Sequence, residues 1–527
     1  MIRYKCEVEI RIKKNMNMKE KSIFKKKLIS LNIMSDETWA IYGVGAGAEL
    51  IYEAMQGTPL AETVKYAIDR DEKVLFGKEF HGLPVKKLSE ICRFLTGIII
   101  VAPKNHNVIK ERIYNYLESN HIEDIRIIDI FAYNSDDEKM EYVKYIEESL
   151  LENKTDFVEF SEEGYKRKEK DTKVIAWYLP QFHQLEINNK FHGQGFTEWS
   201  NTSRTIPMFV GHYQPHIPYD VGYYDLLNID TLKRQVYLAK HYGVYGFCFH
   251  YYWFSGKKLM EKPLELFLEH KELDIPFCLN WATENWTALW DGGNKDIMLE
   301  LNLNEGDDIR FMRDILPYMR DSRYIKIHGK PLLIIYRVNL FEQEKIKALI
   351  YSFRKKAQES GFPDLYILAT TAFDFDEEPA EWGADALVEF PPHGFTQLME
   401  KCRPNGYLNP YFKGEIFDVG SFVKDRKYLK NHNSKTFFRS ALTSWDNTAR
   451  KALSGGMIFE GFKPGTFKQW LEDIVAESIK IHSDAENIVF VNSWNEWAEG
   501  SHLEPDMKYG YAYLQMVKEA LEGINVK

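Results

Sequence analysis

The sequence predicts an α/β protein: a (β/α)8 TIM barrel over residues 173–527, preceded by a small Rossmann-like parallel-sheet domain at 36–131. Three observations predict it. From Lys173 onward, short apolar runs that end in polar clusters alternate with stretches whose apolar residues recur every three or four positions. The alternation yields eight strands, the number that closes such a barrel. Nearer the N-terminus, a short apolar strand runs into a glycine-rich turn and then a helical stretch, the opening of a nucleotide-binding unit.

Residues 1–35 form a basic extension (Lys13, Lys14, Lys19, Lys21, Lys25, Lys26, Lys27). A solvated tail or short surface helix is expected, with at most weak peripheral contact with a membrane. In the next domain, strand Trp39–Tyr42 leads into Gly43-Val44-Gly45-Ala46-Gly47-Ala48, a G-x-G-x-x-A turn before a helix. Gly43, Gly45 and Ala48 would let the backbone approach a diphosphate, and Asp69, ending the strand Val64–Ile68, stands where a ribose-binding acid would. Strands Gly97–Val101 and Ile125–Ile130 flank a helix at Val108–Leu117. This order, with Phe76-Gly77-Lys78 and Gly82-Leu83-Pro84-Val85 in the middle, resembles the N-terminal nucleotide-sugar-binding domain of bacterial sugar O-acyltransferases. A nucleotide sugar is therefore the expected ligand here, and a Rossmann-like fold that binds nothing is the alternative. Residues 132–172 read as a charged linker with one helix, Asp136–Asn153.

The barrel strands are expected at Val174–Pro180, Tyr245–Tyr251, Ile275–Asn280, Pro331–Tyr336, Leu365–Thr370, Ala386–Phe390, Thr436–Thr443 and Ile488–Ser493. Helices are expected at Ile229–Tyr242, Leu259–His270, Asp307–Arg320, Glu344–Ser360, Ser421–Lys430, Thr466–His482 and Tyr509–Leu521, each with an apolar stripe such as Leu232, Val236 and Ala239. Long loops follow strand one (Gln181 to Asn228) and strand six (Pro391 to Val419). Long loops at a barrel mouth carry specificity.

Residues at the strand ends should converge. Strand one supplies Trp177, Tyr178, Gln181 and His183, and its loop Glu198 and Trp199. Strand two supplies His250, Tyr252 and Trp253; strand three, Asn280, Trp281, Glu284, Asn285 and Trp286. Arg337 follows strand four, Glu389 and His393 strand six, and Trp445 and Asp446 strand seven. Strand eight delivers Asn492, Trp494, Asn495, Glu496, Trp497 and Glu499. Amides, imidazoles, hydroxyls and indoles suit a polyhydroxylated ligand, and Trp253, Trp281 and Trp497 are expected to stack on sugar rings. Glu496 and Glu499 would form an acid and base pair for a glycosidic bond. Glu284 and Glu389 could instead pair with Arg337 and hold the barrel together.

Several classes are excluded. A net charge of -10 argues against nucleic acid as the main partner. No run approaches the ~18 apolar residues of a membrane span. The cysteines, Cys6, Cys92, Cys248, Cys278 and Cys402, are scattered and odd in number, as expected of reduced thiols in a cytoplasm. His183, His192, His212 and His216 share one loop region, but Pro215 spoils His212 and His216 as a helical pair, so no metal site is expected. No G-x-S-x-G elbow marks a serine hydrolase.

Four segments resemble a known family: Ala176-Trp177-Tyr178-Leu179-Pro180-Gln181-Phe182-His183, Gly195-Phe196-Thr197-Glu198-Trp199, Asn280-Trp281-Ala282-Thr283-Glu284-Asn285-Trp286 and Trp494-Asn495-Glu496-Trp497-Ala498-Glu499-Gly500. They resemble the WbsX-type proteins of bacterial surface-polysaccharide clusters, which are related to glycoside hydrolase family 99, the endo-α-mannosidases and endomannanases. The resemblance runs from about Lys173 to Gly523 and implies a retaining, metal-independent enzyme with no required cofactor. By that resemblance, Glu496 matches the glutamate that deprotonates the sugar 2-hydroxyl to form a 1,2-anhydro intermediate, and Glu499 the general acid/base. Ala498 stands where family 99 has histidine, a departure that bears on substrate orientation and on strict hydrolysis. The expected function is action on glycosidic bonds of O-antigen or capsule. The alternatives are a glycosyltransferase that uses a nucleotide sugar in lipopolysaccharide or capsule biosynthesis, and a non-catalytic glycan-binding protein.

Overall fold

The structure is a computed structural model that describes residues 24–25, 28–29, 31–44, 46–69, 79–101, 106–130, 156–209, 211–287, 297–404, 408–409, 412–432, 436–451 and 455–524. The chain divides into two compact units, Met1–Lys144 and Tyr145–Lys527.

In the first unit, Val64–Ile68, Trp39–Tyr42, Gly97–Ile100 and Arg126–Asp129 lie side by side in parallel, with Leu83–Lys86 beyond Val64–Ile68 and the short Glu79–Phe80 on the outer edge. Trp39–Tyr42 is buried throughout, as a central parallel strand must be. Helices Ala46–Met55 and His106–Ser119 follow the first and fourth of the sheet's strands in chain order, apart from the 79–80 edge piece. The expected helix Asp136–Asn153 lies outside the described residues. Residues 156–172, read as linker, belong to the second unit: Val158 donates to Tyr509 O and accepts from Tyr511 N.

The second unit is the barrel. Its strands are Lys173–Tyr178, Gly246–Phe254, Phe277–Trp281, Lys330–Ile335, Tyr366–Thr370, Ala386–Val388, a seventh in two pieces (Phe437–Phe438 and Ser440–Leu442), and Ile488–Asn492. Each pairs in parallel with the next, and strand eight pairs with strand one. The seventh strand splits because Ser440 N–H donates to Glu389 Oε2 at 3.0 Å instead of to a ladder carbonyl. The ring is carried across Arg439, whose carbonyl accepts from Phe490 N.

Helices cover the outside. Ile229–His241 starts at Asn228, whose side chain caps Asp230 N–H, and buries Leu232, Val236 and Ala239 on one stripe. Pro464–Ile481 starts with proline at its first turn and buries Phe467, Trp470, Leu471, Ile474 and Val475. Among the described residues no helix is long and apolar enough to cross a membrane.

The pleat decides what each strand offers the mouth. Side chains alternate between barrel interior and helical shell. On strand one, Trp177 packs inside on Phe490 and Phe390, while Tyr178 points outward and donates to Gln235 of the first barrel helix at 2.7 Å. On strand two, His250 and Tyr252 face inward; Tyr251 and Trp253 face the shell residue Phe311.

Candidate active site

Strand eight ends at Asn492 and the chain doubles back. Asn495–Glu496 pairs antiparallel with Ser501–His502 across a 3-10 turn, Trp497–Glu499. Gly500 closes the turn at φ 63, and a Cβ there would lie 3.2 Å from Asp446 Cβ, so both the conformation and the space call for glycine. Ser493 Oγ accepts from Glu496 N at 2.8 Å and donates to Ser501 O at 2.6 Å. The Asn495 amide grips the end of strand one, accepting from Leu179 N at 2.8 Å and donating to Leu179 O at 2.9 Å. These bonds fix Glu496 and Glu499 at the two ends of one tight turn.

Both acids meet the same guanidinium. Arg450 Nη2 donates to Glu496 Oε1 at 2.6 Å and Nη1 to Glu499 Oε1 at 2.7 Å. Its Nε donates to Glu198 Oε1 at 3.1 Å. Gln181 Nε2 adds a bond to Glu496 Oε1 at 2.9 Å. Arg450 is set by a short 3-10 turn, Asn447–Arg450, capped by Asp446, which accepts from Thr448 N and Thr448 Oγ1. Asp446 is held by His212 Nε2 at 2.6 Å and Gln214 Nε2 at 2.7 Å, and its own N–H donates to Glu499 O at 2.7 Å.

One positive charge therefore faces three carboxyls. Burial pushes Glu496 well above the usual carboxylate range; Arg450 opposes that shift and Glu499 and Glu198 add to it. Burial first, and then Glu198, push Glu499 up, again against Arg450. A cluster of this kind retains a proton near neutrality, which equips it as an acid and a base at once. Arg450 bonds Oε1 of each acid, and Gln181 bonds the same oxygen of Glu496.

Aromatic residues stand near the acids. Burial first, then the negative charge of Glu496, raises the Tyr252 hydroxyl, and burial, Glu284 and Glu499 raise that of Tyr336. Tyr336 packs on Phe390 at 5.0 Å and lies 6.3 Å from His250. His393 packs on Phe373 at 4.3 Å, and Phe373 carries the Arg337 guanidinium at 3.9 Å. Arg337 Nη1 donates to Glu284 Oε1 at 2.7 Å, the pairing that the alternative reading of Glu284 anticipated. Burial pushes His250 down to about 3, and burial with Arg337 pushes His393 down to about 4, so both imidazoles are neutral at pH 7. Asn280 Nδ2 lies 3.3 Å from His250 Nε2.

Other expected site residues lie elsewhere. Trp253 is fully buried and donates to Asp314 at 2.9 Å; Trp281 is buried against Phe311 and Phe341. Both are on the shell side of the pleat, so neither stacks on a ligand at the mouth. Trp494 and Trp497 are fully buried and donate to Glu504 at 3.1 and 2.7 Å; Trp497 stacks on His502. Trp199 is buried against Phe182 and donates to Tyr224 O, and Tyr178 and Trp177 are buried as described above. His183 is 1 % exposed, and Trp286 and Trp445 are buried too. Asn285 turns to Leu301 N and Asn492 to Pro391 O. Glu389 does not pair with Arg337: it is buried between Arg439 and His432, at 2.7 and 2.8 Å, and stiffens the strand-seven break.

In the first unit, Gly43 has φ 111, as the turn requires, and Ala48 is buried beneath it. Asp69 Oδ2 accepts from Val44 N at 3.2 Å, tying the turn to the second strand. Gly45 lies outside the described residues.

Arg450, Tyr336, His212, Gln214 and Glu504 are absent from the sequence-predicted site. Arg450 had a signal: the polar stretch after strand seven runs on from Trp445-Asp446 through Asn447-Thr448-Ala449-Arg450, and a pair of acids three residues apart calls for a cation.

A model of the WbsX glycosyltransferase family matches residues 174–517. Over 350 residues the chain is 36% identical to the uncharacterized protein WxcX of Xanthomonas campestris pv. campestris strain B100, covering 66% of this chain and 49% of the relative. The WxcX of strain ATCC 33913 matches to the same degree. The chain thus spans about half the length of these curated relatives. Among solved structures, a glycoside hydrolase-like protein aligns with a TM-score of 0.43 at 15% identity, over 69% of this chain and 98% of that one. The GH99 endo-alpha-mannosidase from Bacteroides thetaiotaomicron aligns with a TM-score of 0.42 at 15% identity, over 68% of this chain and 99% of that one. With the model match covering nearly the whole barrel, the chain belongs to the WbsX glycosyltransferase family.

Proposed function

We propose that the barrel breaks, or breaks and re-forms, glycosidic bonds of a bacterial surface polysaccharide, with retention at the anomeric carbon. The observation that carries this reading is the single guanidinium of Arg450 shared by Glu496 and Glu499, with both carboxyls pushed upward by burial. Glu499, with its side chain 20% exposed against 7% for Glu496, is the better placed to protonate a leaving oxygen. Glu496, held by Gln181 and Arg450, would take the proton of the sugar 2-hydroxyl. Attack of the 2-oxygen on the anomeric carbon would then expel the leaving group, and water or an acceptor hydroxyl, deprotonated by Glu499, would reopen the three-membered ring. Neutral His250 and His393 with Tyr252 and Tyr336 would bind the sugar hydroxyls. No step calls for a metal or cofactor.

The test is release of sugar from a panel of α-linked surface glycans, including the host's own repeat unit. The wild type should cleave at least one, and Glu496→Gln and Glu499→Gln should not. Undiminished turnover in both variants would remove the mechanism.

Transfer to a sugar acceptor is the second reading. The family's name favours it, and the first unit adds a strand–turn–helix opening whose turn is tied to Asp69. In this reading the first unit binds a nucleotide sugar and the enzyme works in the cytoplasm. Cys92, Cys248, Cys278 and Cys402, free of disulfides, agree with a reducing compartment. Calorimetry with UDP- and GDP-sugars, repeated with Gly45→Trp, separates the readings: binding that the substitution abolishes supports transfer.

A further inference from the structure

A cavity of about 240 Å³, with Gly500 and Asp446 in its lining, opens between the strand-one loop, the chain at 444–446 and 458–463, and the chain that follows the acid turn. Three side chains from two distant parts of the sequence converge there. His502 Nδ1 donates to Glu504 O at 2.9 Å, which makes Nε2 the nitrogen with the lone pair. That Nε2 lies 2.8 Å from His216 Nδ1 and 3.7 Å from Asp506 Oδ2. Asp506 Oδ1 is taken by the backbone N–H groups of Lys508 and Tyr509, at 2.9 and 2.6 Å, so Oδ2 is the oxygen turned toward the imidazoles. One donor atom from each of the three residues fits within 4.8 Å of the others, and all three residues are buried.

We propose that His216, His502 and Asp506 bind one divalent transition-metal ion, zinc by the character of the donors, with water from the cavity in the remaining position. Two imidazole nitrogens and one carboxylate oxygen are ligands that zinc takes at roughly 2.0–2.2 Å. The 3.7 Å between His502 Nε2 and Asp506 Oδ2 is close to the edge of a tetrahedron built from such bonds. The supporting shell is also in place: a backbone carbonyl fixes the His502 tautomer, and two backbone amides aim the Asp506 carboxylate. Without the ion, His216 Nδ1–H donates to His502 Nε2. Binding would replace that proton with the metal and release it to solvent. The Lys508 ammonium stands over the rings of Tyr213 and Tyr509, at 4.4 and 5.0 Å.

Such an ion would staple, not catalyse. His216 belongs to the loop whose His212 and Gln214 hold Asp446, and His502 follows directly on the turn that carries Glu499. The metal would clamp these two segments while the chemistry at the mouth stays metal-independent. The spacing of His212 and His216 concealed the site because they are not partners. His212 is spent on Asp446, and His216 finds its partners beyond strand eight.

The experiment uses the full chain, stripped with a chelator, dialysed against zinc and assayed for metal by mass spectrometry. One zinc per chain is expected, with a melting temperature that falls on chelation and recovers with zinc. Cobalt in its place should give the visible absorption of a four-coordinate site. The double variant His216→Gln/Asp506→Asn should lose the ion and the zinc-dependent gain in melting temperature. Wild type that holds no zinc above background, or a double variant that keeps its ion, would overturn the proposal. Should the double variant fail to fold, the zinc stoichiometry and cobalt spectrum of the wild type decide.

Discussion

Arg450 holds Glu496 at 2.6 Å and is the only described cation bonded to it. The same fork reaches Glu499, so the guanidinium sets the charge balance of the pair. Arg450→Met would leave the three acids without this counter-charge and push the carboxyls of Glu496 and Glu499 still higher. A base that ionises at higher pH and an acid that releases its proton at higher pH move both limbs of the rate profile in the alkaline direction. At pH 7, kcat/KM should fall about 10²-fold. Arg450→Lys restores the charge but not the two-pronged fork and should recover only part of the loss. The measurement is kcat/KM against pH for the three proteins; an unshifted profile in Arg450→Met would show that Arg450 does not set the protonation of the pair.

The roles of the two acids separate by leaving group. A substrate whose leaving group departs without a proton has no need of the general acid in the first step. Glu499→Gln should therefore lose roughly 10³-fold on a natural glycan and far less on an activated aryl glycoside. Glu496→Gln should lose activity on both, because the 2-hydroxyl must be deprotonated in either case. A reversed pattern would exchange the assignments.

The aromatic residues also divide. Tyr336 and His393 lie at the strand ends, and Tyr336→Phe or His393→Ala should raise KM up to about tenfold, equivalent to ~1.4 kcal/mol, with little change in stability. Trp253 and Trp281 lie in the shell between strands and helices. Trp253→Ala and Trp281→Ala should cost about 3–5 kcal/mol of stability and leave KM of the surviving folded enzyme unchanged. Denaturant titration and initial-rate kinetics on the same preparations check both halves.

That division shows what the sequence made legible. Eight apolar runs, seven helical stripes and the polar strand ends could all be read, because burial of parallel strands and amphipathic helices is written in local periodicity. The acid pair was readable because one turn carries both members. Strand ends were taken as whole clusters, however, and the two-residue alternation that sends His250 and Tyr252 inward and Trp253 outward was not applied. Applied from His250, it would have removed Trp253; applied from Asn280, it would have removed Trp281. Gln181 and Arg450 meet Glu496 from two separate loops, Glu198 reaches Arg450 from a distant point of the first, and no local rule brings such residues together. Glu389 was misread because its partner, Arg439, sits in the interior of a strand where a cation is not expected.

His250 makes the last prediction, on stability against pH. The ring is 8% exposed, and burial holds its pKa down to about 3. In the unfolded chain an imidazole takes its proton near 6.5. Between these values the unfolded state binds a proton that the folded state refuses, so His250 subtracts stability as pH falls through 6.5 and goes on doing so toward 3. The whole effect is about 5 kcal/mol at its low-pH end, taking 1.36 kcal/mol for each pKa unit. The buried acids Glu496 and Glu499 slope the opposite way, since their raised carboxyls favour the folded state as pH drops. The informative quantity is therefore the difference between wild type and His250→Gln, measured by urea unfolding at intervals from pH 7 to pH 4. The variant should be the less stable at pH 7, because it disturbs the packing beside Trp177 and Phe390, and should lose less stability than the wild type on acidification. Parallel curves for the two proteins would mean that the folded imidazole takes its proton at the ordinary pKa and that burial does not hold it neutral.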